Sequence, residues 1–148
     1  SFSDLLPTII DVAGGKKISD KSLDGGSFKK ILLQQSNRIK RNIEGIIFHV
    51  PYENKIALER AHSAIIIDSF KLIKYHDNGE INLYDIKNDL SESVDLAKIL
   101  QMKKLINAKI IRRLEKLLDN YLIEVQAPKW KPGITWKENP LKIINSYH

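Results

Sequence analysis

The sequence predicts an α+β fold: a small four-stranded antiparallel sheet packed with a long C-terminal helix, preceded by short helices. Three observations carry this. Runs of β-branched and aromatic residues recur between Gly45 and Ile86. Asn78-Gly79 separates the last two of them, a pair suited to turning a hairpin. From Leu96 onward the apolar residues switch to steps of three and four, the helical period.

The elements follow in order. "SDLLPTIIDVAGG" predicts a short helix capped by Ser3, with Pro7 in its first turn and Gly14-Gly15 past its end. Leu5, Leu6, Ile9, Ile10 and Ala13 share one face. A polar loop, "KKISDKSLDGG", leads to "SFKKILLQQ". That segment reads as a second short helix with Ser27 as cap and Phe28, Ile31 and Leu32 inward. "GIIFHVPY" is a strand stopped by Pro51, and "SAIIID", "FKLIKYH" and "INLYDI" are the other three. In the third, Phe70, Leu72 and Lys74 alternate with Lys71, Ile73 and Tyr75, so one face can be buried while Lys71 lies along the other. The helical pattern covers 96–125, which would make a rod roughly 40 Å long. Four strands alone would not cover it, so it is expected to kink or to rest on something else. The tail from Ala127 holds three of the five prolines and both tryptophans, and is expected to wrap the surface as an extended segment.

The 148 residues make one ordinary domain, 43% hydrophobic and 28% charged. With no cysteine, disulfides, thiol nucleophiles and Cys-type zinc sites are excluded. A net charge of +6 favours anionic partners. No apolar run approaches the roughly 20 residues a bilayer requires. The chain starts on Ser1 rather than Met, and a longer N-terminal part is expected.

Few residues offer chemistry. Of the four histidines, His49 and His62 can face one another at the sheet rim, His76 flanks the hairpin and His148 is terminal. Asp85, Asp89, Glu92 and Asp95 lack the alternate spacing and central Gly of a calcium loop, and read as caps of turns. "LDGGSFKK" lacks the spacing of a phosphate-binding loop and reads as helix capping. The lysines and arginines of the long helix are not interleaved with aromatics, so no nucleic acid is expected. The residues alone leave open a non-catalytic basic α+β module that binds an anionic polymer.

The succession of segments resembles the C-terminal end of type I, formylglycine-dependent sulfatases, the arylsulfatase family. The resemblance rests on residues 4–14, 24–28, 48–51, 63–73 and 83–97, a succession in the family's order that spans about two thirds of the chain. Departures are Asp68-Ser69-Phe70-Lys71 for a Gly-Asp-Trp-Lys turn, Leu90 for a proline, Asp95 for an asparagine, and Pro51-Tyr52 for Pro-His-Tyr.

The resemblance implies that 1–44 closes an alkaline-phosphatase-like catalytic α/β domain and that 45–148 is the C-terminal subdomain. It implies hydrolysis of sulfate esters, plausibly of sulfated carbohydrates, with the missing N-terminal catalytic domain as partner. The family nucleophile arises from Cys or Ser two residues before a proline. Here those positions are Leu5, His49, Gln126, Trp130 and Glu138, so the chain alone is expected to be inactive. Calcium and formylglycine are expected in the N-terminal part, and this chain is expected to hold no catalytic residue or metal ligand. Substrate contacts at the cleft rim are expected from His49, Tyr52, Arg60 and His62, which lie about the loop between two strands; Arg60 can pair with a sulfate or carboxylate.

Overall fold

A computed structural model of the chain describes residues 1–15, 23–53, 60–99 and 104–132. Two compact units emerge, Ser1–Ile46 and Ile47–His148.

In the first unit, Ser1 caps a 3-10 turn over Phe2–Asp4 through a capping box with Asp4. Helix α1 follows at Leu5–Val12, with Pro7 in its first turn as expected. Ser3 is therefore not the cap. It lies inside the 3-10 turn, and its hydroxyl meets that of Ser1 at 3.0 Å.

The inward side of α1 and its N-cap is polar, with Asp4 and Thr8 buried and Asp11 half-exposed. Asp4, Thr8 and Asp11 recur at helical spacing and clamp the Gly-rich stretch that follows. Asp4 accepts from the Gly26 amide at 2.9 Å and takes both arms of Arg41 at 2.9 and 2.7 Å. Arg41 is the main reason its carboxyl stays far below the usual carboxylate range. Thr8 Oγ1 accepts from the Phe28 amide, and Asp11 accepts from the Ser27 hydroxyl at 2.6 Å. A Cβ on Gly25 would sit 1.9 Å from the Ser3 carbonyl oxygen, and one on Gly26 2.1 Å from that of Lys40. The two glycines are there because backbone passes against backbone.

The apolar residues of α1 point outward: Leu6, Ile9 and Val12 are 52%, 62% and 59% exposed. Helix α2 is a single turn, Lys29–Leu32, with Ser27 Oγ accepting from the Lys29 amide. Leu32 is exposed rather than inward, because the helix stops before a second turn can carry it back.

The second unit is a four-stranded antiparallel sheet in the order β1-β2-β3-β4, with β1 Ile46–Val50, β2 His62–Ile67, β3 Phe70–Tyr75 and β4 Ile81–Asp85. Helix α3, Lys104–Glu124, covers one face. Ile65, Leu72 and Leu83 face one another across three strands and are fully buried against Leu114 and Leu118. Burying each such side chain contributes about 2 kcal/mol. Lys74 shares this face, as the alternation requires. Burial lowers its pKa, but Asp119 and Glu115, at 2.9 and 3.0 Å, overcompensate and hold it raised.

Helix α3 starts at Lys104, not at Leu96. The 96–99 stretch is a turn held by β4: the Leu96 amide donates to the Leu83 carbonyl at 2.7 Å, and Asp95 accepts from the Leu83 and Ala97 amides. The rod is thus about 30 Å long. Lys109, Arg112 and Lys116 are exposed on its far side, while Ile110, Leu114, Leu117 and Leu118 turn to the sheet. The expected extended tail from residue 133 onward lies outside the described residues. Among the described residues no helix is long and apolar enough to cross a membrane.

Candidate functional site

Strand alternation sends the four expected rim residues to different places. β1 and β2 put Phe48, Val50, Ala64 and Ile66 on the sheet face away from α3, where Ile73 and Tyr75 of β3 join them. These line a hollow of about 680 Å³. Tyr52 and His62 occupy it too. His62 sits opposite Tyr75 in the register, the rings 6.1 Å apart and tilted by 53°. The Nδ1–H of His62 donates to the Arg60 carbonyl at 2.6 Å, which sets that ring's tautomer. The ion pair Lys71–Glu92 lies in the same hollow at 2.7 Å.

Arg60 belongs to this group through Tyr75 rather than directly. Its guanidinium lies 4.0 Å from the Tyr75 ring centroid. Four of its donor contacts go to the β3–β4 turn: two to Asp77, one to Asn78 and one to Glu80, at 2.7–3.1 Å. Asp77 is the main reason its pKa is raised. The Arg60 charge is answered by Asp77 and Glu80, and that of Lys71 by Glu92, so the hollow offers aromatic faces, hydrogen bonding and charges already paired within the chain.

His49 stands on the opposite face and does not meet His62 across the rim. Its ring packs edge-on to His76 with centroids 5.5 Å apart. Its Nδ1 meets Ser63 Oγ at 2.7 Å and its Nε2 meets the Pro128 carbonyl at 2.7 Å. Both imidazoles have lowered pKa values, chiefly from burial.

Two participants escaped the sequence reading. Tyr75 was visible only as a strand residue; its pairing with His62 follows from the register that the Asp68-Ser69 turn sets. Ser63 carried no signal, since its role depends on which residue of β1 lies beside it.

The acidic string caps turns. Asp85 accepts from the Lys87 amide, and Asp89 from Ser91, Ser93 and the Val94 amide. The Val94 and Ser93 amides are the first causes that push the Asp89 pKa down to about 2. Among the described residues no three His, Asp or Glu side chains are grouped to hold a metal ion.

Residues 2–120 match the family "N-sulphoglucosamine sulphohydrolase, C-terminal". Among solved structures, the chain is similar to a protein in complex with its substrate D-glucosamine-2-N,6-O-disulfate, at TM-score 0.61 and 25% identity over 83% of this chain and 24% of that one. A second, from Bacteroides thetaiotaomicron VPI-5482 and assigned to the sulfatases, gives TM-score 0.59 and 26% identity over 83% and 24%. A 2-O GAG sulfatase shares the fold at TM-score 0.60 and 23% identity, over 84% and 25%. No curated protein matches the sequence. The chain spans about a quarter of the length of these solved structures.

Proposed function

The chain belongs to the family of N-sulphoglucosamine sulphohydrolase C-terminal regions, and from that premise we propose that it serves as the carboxy-terminal part of an enzyme that hydrolyses sulfate esters. The match over residues 2–120 carries this reading. The substrate class we propose is a sulfated carbohydrate, supported by the similar structure that holds a sulfated glucosamine.

The sequence does not carry the nucleophile of such a reaction, and the described acidic residues do not fit its metal. No Cys or Ser precedes a proline by two positions. The carboxylates of Asp85 and Asp89 and one oxygen of Asp95 are engaged with turn amides, hydroxyls and a side-chain amide. Calcium and formylglycine therefore belong, in this reading, to an upstream catalytic domain.

The chain's own contribution is support and rim. The apolar outer face of the sheet, with Phe48, Val50, Ile66 and Ile73, would dock on the upstream domain, as would the outward face of α1. Tyr52 and His62 would contact the sugar, with Tyr75 beside them held by Arg60. Arg60 would act on binding through that ring. His49, on the other face, would serve the sheet–helix packing from which the rim projects.

The experiment compares two polypeptides on an aryl sulfate and on D-glucosamine-2-N,6-O-disulfate: this chain alone, and the same chain extended through the upstream reading frame. Turnover is expected only from the longer one, with a Cys- or Ser-x-Pro-x-Arg segment in its upstream part. Turnover by the short chain, or an upstream frame without that segment, would overturn the reading.

A further inference from the structure

We propose that His49, Ser63 and His76 form a proton-ordered clasp that fastens the segment after α3 to the edge strand β1, and that acid breaks its inner link, between Ser63 and His49. The inference stands apart from the sulfatase reading.

The order follows from donor and acceptor rules alone. The Pro128 carbonyl can only accept, so His49 Nε2, 2.7 Å away, must carry a hydrogen. In the neutral ring Nδ1 is then an acceptor, and its 2.7 Å partner, the Ser63 hydroxyl, must donate to it. Ser63 has one hydrogen, now committed. Its 2.8 Å contact with His76 Nε2 therefore requires that nitrogen to donate. All three links point one way, from His76 through Ser63 and His49 to Pro128. Ser63 is fully buried, so no water competes for its hydroxyl.

The two rings consequently respond differently to a proton. His76 can accept one at Nδ1 and keep every link. His49 can accept one only at Nδ1, where it displaces the Ser63 hydrogen and leaves that hydroxyl without its acceptor. A cationic His76 with its ring centroid 5.5 Å away opposes this further.

The other charged groups nearby are the Lys74–Asp119–Glu115 set between β3 and α3, Lys129 beside Pro128, and His62 on the far face of β2. Asp119 favours a cation at His76, whereas Lys74, His49 and His62 oppose it.

The sign is that of a depressed histidine. The clasp contributes in full above the ordinary value of about 6.5, and its contribution is lost as pH falls through that value toward the lower native one. The bond from His49 Nε2 to the Pro128 carbonyl survives in the cation, so acid loosens the clasp from the Ser63 side, beside a cavity of about 680 Å³ that His49, His76, Pro128 and Trp130 border.

The test is nitrogen NMR of the imidazoles in the full chain, titrated from about pH 8 to about pH 5, a range that brackets histidine. Expected at high pH is the Nε2–H tautomer for both rings. On acidification His76 should titrate first and His49 last. Ser63→Ala should move the midpoints in opposite directions by about half a unit or more: His49 up, because a bond to its neutral form is lost, and His76 down, because a bond its cation would strengthen is lost. Simple loosening would raise both. Both rising, neither moving, or an Nδ1–H tautomer at His49 would each overturn the clasp. Should Ser63→Ala fail to fold, the native tautomers and titration order decide.

Discussion

At the scale of single residues, this chain places unusual backbone where the sequence offers local relief, and in some places where it does not. Gly79 is the first kind. The Asn78-Gly79 signal located the hairpin, but only Gly79 takes positive φ, at 72°. The loop closes over four residues, with the Gly79 amide donating to the Tyr75 carbonyl. A Cβ at Gly79 would meet nothing within 4 Å. The cost of Gly79→Val is therefore backbone strain alone, on the order of 1 kcal/mol or more, and Gly79→Asn should cost less. Denaturant midpoints of the two variants check this, and equal stability of Val and Gly at this position would mean the turn has another shape. Asp68, at φ 52°, is the second kind. Here the resembling family has glycine, and the sequence keeps the turn while accepting a strained aspartate.

At the scale of elements, legibility tracked how local the cause was. The four strands were readable because β-branched runs and the Asn78-Gly79 turn are local signals, and in β3 the alternation held: Leu72 and Lys74 fall on the covered face with Lys71 on the other. The start of α3 was not readable. Periodicity continues back to Leu96, but the Leu83 carbonyl and Asp95 claim that stretch for β4, a contact between residues twelve or more apart. The expected Ser3 cap of α1 failed because a 3-10 turn precedes the helix: Ser1 caps that turn, and Asp4 stands at the α1 N-cap. All three helices end alike. The amides of Gly15, Gln35 and Ala127 each reach back five residues, leaving Gly14, Gln34 and Gln126 left-handed. Gln126, at φ 51° and exposed, carries a Cβ where glycine fits best. Gln126→Gly should stabilise the chain by about 0.5–1 kcal/mol. Chemical denaturation followed by far-ultraviolet dichroism measures it, and a loss of stability would show that the glutamine side chain matters more than its backbone.

At the scale of the whole molecule, the apolar surface is distributed against the usual rule. Helix α1 buries Asp4 and Thr8 while Leu6, Ile9 and Val12 face outward, and Phe48, on the sheet face away from α3, is 52% exposed. The sequence could name these residues as apolar but not their direction, since the polar stripe of α1 is anchored by Arg41 and Gly26, far along the chain. Outward apolar faces of this kind fit a chain that works against a larger body. The context dependence of one substitution tests this. Ile9→Lys and Phe48→Lys place a charge where this chain leaves the side chain open, so in the chain alone each should change stability by no more than about 0.5 kcal/mol. In the polypeptide that includes the upstream catalytic domain, the same lysines would be trapped beneath a packed surface, and each should cost about 2 kcal/mol or more. Thermal unfolding of both forms gives the comparison. If the lysine variants are as stable as the parent in both contexts, these faces meet water in the working protein, and the docking role proposed for them fails even if the family assignment stands.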